Sequence, residues 1–206
     1  MKIDKPAFVS AILLAAGESK RMGEPKLLLP LGSGTILGHT TDNLLSSRVD
    51  EVIVVLGAEA QEMEKAIVGK PVRVVFNLDY RQGMSTSLIA GLKQVSSRAH
   101  RIMVALSDQP LIDKRTYNRL IEESLNSGKG IVIPTYQARR GNPIIFAVGY
   151  KEELLRLEGD VGGREIVKRH PDDVLEVAVD SESVIININT MDDYYSRLKL
   201  ANQEGR

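Results

Sequence analysis

The sequence predicts an α/β fold of three layers, with helices on both faces of a mainly parallel sheet and an antiparallel element in the C-terminal part. Apolar runs recur at 9–16, 51–56, 72–76, 101–106 and 130–134, and the first is continuous rather than alternating, as a strand buried on both faces is. Between them lie segments of helical pattern, long enough for right-handed crossovers. The first run also ends at Gly17 in a loop that carries Lys20, Arg21 and Lys26, with a second glycine at 23. A buried strand feeding a cationic, glycine-rich loop is a common way to present donors to a phosphate chain.

Taken in order, Val9–Ala16 is the first buried strand, and the small residues Ala15, Ala16 and Gly17 let a ring or a phosphate approach the backbone. Residues 28–35 are turn-rich, and Thr35 is placed to cap a helix reaching about Ser47. A second strand at 51–56 stops at Gly57, a helix covers Glu59–Val68, and a third strand covers 72–76. The polar loop 77–85 leads into a helix from about Ser85 to Val95. The fourth strand, 101–106, runs into Ser107-Asp108-Gln109-Pro110, followed by a helix at 114–126 and a strand at 130–134.

Past residue 135 the rhythm changes. A loop at 139–143 enters a short strand, and short helices are expected at 151–157 and 163–170. Residues 174–179 alternate, which predicts an antiparallel or edge strand. A short strand at 185–190 and a helix at 192–200 complete the pattern.

At 206 residues the chain can bury one sizeable core, and no linker, repeat or low-complexity block divides it. A single domain over 1–206 is expected. Lys plus Arg (27) equals Asp plus Glu (27), so no net field favours nucleic acid or an anionic membrane, and neither is expected as a partner. The absence of cysteine excludes disulfides, thiolate zinc sites and a cysteine nucleophile. The start of the chain, Lys2 and Lys5 followed by an apolar run to Ala16, imitates a signal peptide but leads directly into the cationic loop. A cytoplasmic address is therefore expected.

In open parallel sheets ligands bind beyond the carboxyl ends of the strands. Residues 15–26, 77–87 and 107–110 fall there, with 187–190 beside them. The first loop is neither a Walker A loop nor a dinucleotide fingerprint: Gly17 and Gly23 are too far apart, and no Lys-Ser/Thr follows Gly23. It offers backbone N–H groups, the Ser19 hydroxyl and three cations, either to a triphosphate or to solvent. Asp108 at a strand end can hold magnesium on phosphate oxygens, or it can start an Asx turn before Pro110. Asn187 and Asn189 share a face by period two, and read alone they suit strand-end hydrogen bonding. His39, His100 and His170 have no partners at metal or triad spacing, and no G-x-S-x-G elbow is present.

Several segments together resemble the molybdenum cofactor nucleotidyltransferases of the MobA-like superfamily, in particular the MocA-type cytidylyltransferase branch. L-A-A-G-E-S-K-R-M-G-E-P-K at 14–26 is similar to the signature L-A-A-G-x-S-x-R-M-G-x-x-K. G-M-S-T-S-L-I-A-G-L at 83–92, S-D-Q-P-L at 107–111, R-G-N-P at 140–143, G-D-V-G-G-R at 159–164 and N-I-N-T-M-D-D-Y at 187–194 have counterparts as well. The resemblance implies a Rossmann-like nucleotidyltransferase fold. It implies transfer of a nucleotide from CTP, or GTP, to a molybdopterin-type acceptor with Mg²⁺, releasing pyrophosphate.

Carried over, Gly17, Ser19, Arg21, Gly23 and Lys26 grip the triphosphate, with Lys26, Arg21 and Asp108 catalytic. Asp108 and Asn189 hold the metal. Leu14, Ala15, Ala16, Gly83, Met84 and Ser87 lie near the base and ribose. Gly141, Asn142, Pro143, Asp160 and Arg164 face the acceptor. The nucleotide part then spans about 7–112 and the acceptor part about 113–190. A molybdenum hydroxylase or its accessory factors would be further partners.

The GTP-using branch reads L-A-G-G where this chain has Leu14-Ala15-Ala16-Gly17, so the methyl of Ala16 narrows the base pocket toward cytosine. Two departures stand out: asparagines at 187 and 189 where the cytidylyltransferases have aspartates, and Met191 in place of proline. Losing those carboxylates either leaves the metal on Asp108 or alters activity. Two other readings follow, a nucleotidyltransferase with another phosphate acceptor and a catalytically weak accessory protein.

Overall fold

Phe8–Ala15 (β1) is buried over seven of its eight residues because it runs through the middle of the sheet. The structure, a computed structural model, describes residues 7–19 and 22–204. After the first loop, Pro30–Leu31 (β2) and Gly34–Thr35 (β3) make a small antiparallel hairpin in the turn-rich stretch. Ile36–Leu45 (α1) follows, with the Thr35 hydroxyl accepting from the Gly38 N–H at 3.0 Å as the capping pattern predicted. Glu51–Leu56 (β4), Ala60–Ala66 (α2), Arg73–Phe76 (β5), Met84–Leu92 (α3), Ala99–Leu106 (β6) and Lys114–Asn126 (α4) continue the alternation. Then come Ile131–Tyr136 (β7), Arg139–Arg140 (β8), Ile144–Ala147 (β9), Lys151–Leu154 (α5), Arg164–Arg169 (α6), Val174–Ala178 (β10) and Met191–Glu204 (α7).

The sheet order is β10-β7-β9-β6-β1-β4-β5, with β8 paired to β7. β1 is parallel to both β4 and β6, and β4 is parallel to β5. The reversed strand is β9, antiparallel to β6 on one side and to β7 on the other. This is the antiparallel element expected in the C-terminal part, set inside the sheet.

Period-two alternation splits the apolar side chains between two layers. Ala11, Leu13, Val54, Leu56 and Met103 pack with Leu37, Met63, Tyr117, Leu120 and Tyr194, drawing α1, α2, α4 and α7 onto one face. Ile12, Leu14, Ile53, Val55 and Val104 pack with Leu88, Leu92, Leu154 and Ile166 from α3, α5 and α6 on the other. Among the described residues no helix is long and apolar enough to cross a membrane.

One expectation is met in its second form, and one element departs. Residues 174–178 do form an edge strand, but β10 runs parallel to β7. The reversed strand ends where the parallel strands begin; the chain then returns to the carboxyl end at Gly159–Asp160, and α6 leads back to start β10 in the parallel sense. Residues 185–190 form no strand: a 3₁₀ turn, Glu182–Ile185, leads into an irregular segment. Both sides of β7 are already taken, by β9 and β10, so this backbone finds partners in loops instead. The Val184 carbonyl accepts from the Asn142 N–H at 2.8 Å, and the Ile188 N–H donates to the Asp108 carbonyl at 2.9 Å. The segment is thereby laid across the carboxyl ends of the strands.

Candidate active site

The carboxyl ends of β1 and β6, the loop and helix start after β5, and the 187–189 segment enclose a cavity of about 780 Å³. From the first loop, Leu14, Ala16, Gly17, Ser19 and Lys26 line it. The opposite wall comes from Gly83, Met84, Ser87 and Asp160, and the end from Asp108 and Asn189. Eleven of the residues expected at a site are therefore brought together.

Others lie elsewhere. The Ala15 side chain is in the core, 1% exposed. Gly23 lines a smaller cleft of about 260 Å³ behind the loop. Arg21, with Lys20, lies outside the described residues. Gly141, Asn142, Pro143 and Arg164 do not line the cavity. Val104 pairs with Ile144, which puts Asn142 at the same end of the sheet, level with Leu106. Arg164 donates to the Arg140 carbonyl at 3.3 Å. No histidine lines the cavity: His100 Nδ1 accepts from the Phe8 N–H, and His170 Nε2 is 2.8 Å from Glu153.

At the end of the cavity Lys26 Nζ lies 2.6 Å from Asp108 Oδ2 and 3.2 Å from Asn189 Oδ1. The Lys26 and Asp108 side chains are only 16% and 15% exposed, so this charge-assisted contact is largely shielded from water. Lys26 is fixed from behind, because its N–H donates to the Ser19 hydroxyl at 3.2 Å. Ser19 itself sits at φ +32°, and its carbonyl closes the loop by accepting from the Met22 N–H at 2.9 Å. Behind Asp108, the fully buried Gln109 donates to the Val184 carbonyl (3.1 Å) and to Asn187 Oδ1 (3.2 Å). Asn187 Nδ2 in turn donates to Asp108 Oδ1 at 3.0 Å. The Gln109 Oε1 is buried without a partner, a cost of about 1–3 kcal/mol that the arrangement carries.

The opposite wall is a helix start capped from afar. Asp160 Oδ1 accepts from the Met84 N–H, and the Gly159 carbonyl accepts from the Ser85 N–H, each at 3.2 Å. The first two N–H groups of α3 are thus satisfied by a loop some 75 residues away and are not offered to a ligand. Gly83 makes the contact possible: at φ +121° it has no side chain where a Cβ would lie 2.4 Å from the Gly159 carbonyl. At the mouth, Arg81 donates to Glu18 at 3.0 Å, and that hydrogen bond, helped by Tyr80, holds the guanidinium above its ordinary pKa. At Gly57 a Cβ would stand 2.8 Å from the Ala16 methyl, so residue 57 makes the space that methyl occupies.

Asp108 and Asn189 offer one carboxylate and one amide oxygen that already share a cation, the Lys26 ammonium. That donor set fits a hard divalent ion carried on substrate phosphates, which needs only one or two carboxylates from a protein. Among the described residues there is no group of three or more acidic or histidine side chains that could hold a metal without such help.

Residues 11–174 match the MobA-like NTP transferase domain, about four-fifths of the chain. The chain belongs to the MobA-like NTP transferase family. Within that nucleotidyltransferase family it is 33% identical to the nicotine blue oxidoreductase of Paenarthrobacter nicotinovorans over 92% of this chain and 96% of that one. It is 25% identical to the molybdenum cofactor cytidylyltransferase of Escherichia coli K12, over 90% and 93% of the two chains. Among solved structures, Rv0371c of Mycobacterium tuberculosis H37Rv superposes with a TM-score of 0.86 at 33% identity, covering 95% of this chain and 99% of that one. Another structure of Rv0371c is a complex with manganese, with a TM-score of 0.82 at 32% identity over 95% of this chain and all of that one.

The lining of this MobA-like chain also includes residues that carry no motif signal of their own. Tyr80, Arg81 and Gln82 belong to the polar loop 77–85 and Ser107 to the S-D-Q-P segment, whereas nothing in the sequence marks Glu18, Leu27 or Leu106 individually. Gln109 and Asn187 act through partners distant in sequence, which no local pattern reports.

Proposed function

We propose that this chain transfers CMP from CTP to the terminal phosphate of a molybdopterin-type acceptor, releasing pyrophosphate. The observation that carries the reading is the Lys26–Asp108–Asn189 cluster at the end of a cavity walled by the Gly17–Ser19 loop and the Gly83–Ser87 helix start. It couples a lysine ammonium to a metal-competent carboxylate beside a backbone that a nucleotide can approach closely. The similarity to the E. coli cytidylyltransferase supports the same reaction class.

In this reading the acceptor phosphate attacks the α-phosphorus in line. A new P–O bond forms, the bond to the β-phosphate oxygen breaks, and pyrophosphate leaves. The attacking oxygen is already anionic, so the protein supplies position and charge neutralisation rather than a base. Lys26 meets the charge that grows on the α-phosphate, and Arg21 with the loop amides holds the pyrophosphate. Asp108 and Asn189 would hold Mg²⁺, which when bound neutralises phosphate oxygens. The manganese complex of Rv0371c supports a divalent ion.

Leu14, Ala16, Gly83, Met84 and Ser87 serve the base and ribose, Ala15 with its backbone alone because its side chain is in the core, and Gly23 shapes the phosphate loop. Gly141, Asn142, Pro143, Asp160 and Arg164 face the acceptor. Asp160 joins the two sides by capping α3 from the acceptor loop. The nucleotide part, about 7–112, and the acceptor part, about 113–190, form a single domain in this reading. One core cluster drawing on residues from Val9 to Tyr194 supports that. A cytoplasmic address and delivery to a molybdenum hydroxylase belong to the same reading.

CTP is expected to bind more tightly than GTP or ATP in the presence of Mg²⁺, because the Ala16 methyl narrows the base end. Ala16→Gly should reduce that preference on the order of tenfold, the worth of a methyl-sized change in a pocket. Calorimetric titration with the three nucleotides measures it, and GTP binding to the wild type as tightly as CTP would overturn the base assignment. The similarity to nicotine blue oxidoreductase favours a second reading, an oxidoreductase built on the same fold. Redox turnover of nicotine blue by the protein, with no CTP binding, would select it.

A further inference from the structure

Asn187 is held from both sides in a way that leaves its amide one orientation. Gln109 Nε2 points at the Val184 carbonyl, which can only accept, so that end of the Gln109 side chain is fixed as a donor. The same nitrogen donates to Asn187 Oδ1. On its other side Asn187 meets Asp108 Oδ1 at 3.0 Å, and a carboxylate also only accepts. The two ends agree: oxygen toward Gln109, nitrogen toward Asp108. The buried, unpartnered Gln109 Oε1 is the cost of turning that nitrogen inward. Asp108 Oδ2 meanwhile faces Lys26 Nζ at 2.6 Å, so both carboxylate oxygens are engaged by donors of the chain itself.

We propose that Asn187 is a positioning residue for Asp108 and not a metal ligand, and that Lys26 is the resident cation of this site until a nucleotide arrives. The protein alone then takes up divalent metal weakly, and the metal enters with the nucleotide phosphates as Lys26 swings from Asp108 to the α-phosphate. One cation leaves the carboxylate as another reaches it, so Asp108 is never left uncompensated in its shielded position. An aspartate at 187 would behave differently. It would set a second carboxylate about 3.0 Å from Asp108, where two like charges stay ionised only with a cation between them. Such a pair binds metal with no nucleotide present. The inference rests on the reading that Asp108 faces a nucleotide-borne divalent ion.

The test uses Mn²⁺ alone, titrated into the intact protein without nucleotide or acceptor, with the free-ion signal followed by electron paramagnetic resonance. Asn187→Asp is expected to bind Mn²⁺ about tenfold or more tightly than the wild type, since affinity at such sites follows ligand charge. It should also gain thermal stability from Mn²⁺ where the wild type does not. Lys26→Met, which removes the resident cation, is expected to bind Mn²⁺ more tightly as well. Wild-type protein that binds Mn²⁺ as tightly as Asn187→Asp would overturn the proposal. If Asn187→Asp does not fold even with Mn²⁺, Lys26→Met decides: no gain in affinity there overturns it. Because no CTP is present, failure here is distinct from failure of CMP transfer, which would appear as absent pyrophosphate release.

Discussion

Lys26→Ala is expected to lower turnover by about two orders of magnitude or more, with Asp108→Ala doing the same, in proteins that remain folded. The two side chains meet at 2.6 Å from elements 82 residues apart, and both are shielded at the end of the cavity. Lys26 is the described cation within reach of the Asp108–Asn189 pair, so its loss leaves growing negative charge on the α-phosphate without its nearest counter-charge. Neither residue belongs to the apolar core, which is why the fold should tolerate both changes. Release of pyrophosphate at saturating nucleotide and acceptor, alongside circular dichroism of each variant, measures this. Near wild-type turnover in folded Asp108→Ala would remove the residue from the reaction.

Gly83→Ala should destabilise the protein by about 3 kcal/mol or more. Two costs combine. Residue 83 has φ +121° and ψ 169°, a conformation that is essentially glycine's own. A Cβ there would also lie 2.4 Å from the Gly159 carbonyl carbon and oxygen and 2.7 Å from the Asp160 nitrogen, all backbone atoms that cannot turn aside. Relief requires the 159–160 loop to withdraw, and that strips the Met84 and Ser85 N–H groups of their acceptors. The natural control is Gly149→Ala, where a Cβ meets nothing within 4 Å and a change within about 0.5 kcal/mol is expected. Urea unfolding of both variants reads the difference, and equal stabilities would contradict this view of the cavity wall.

The parts of this fold that are legible in the sequence are those whose physics is local. Val9–Ala16 reads as a central strand because eight residues without a charge have to be buried on both faces, and β1 does lie between two parallel neighbours. Thr35 announces a helix start by a side chain reaching three residues ahead. The reversal of β9 is different: Ile144–Ala147 is apolar whichever way it runs, and its direction is set by β6 and β7 on either side. Residues 185–190 show a strand's period, yet β7 is already paired on both sides, and the Ile188 N–H donates to the Asp108 carbonyl instead.

The candidate site divides the same way. Lys26 and Asp108 are recognisable as residue types in the segments that follow strands, and Asn189 as an amide beside them. That the lysine would sit on both oxygen donors depends on contacts 82 and 163 residues apart, which only the assembled sheet creates. Asp160 was expected on the acceptor side. Its carboxylate in fact caps α3 from 76 residues away, so it belongs to both walls at once.

The most direct measurement is pyrophosphate release from CTP with Mg²⁺, with and without a molybdopterin acceptor. The account predicts release from CTP in preference to GTP, and only when the pterin phosphate is present. Release that requires a different phosphate acceptor, or none from any nucleoside triphosphate, would contradict it.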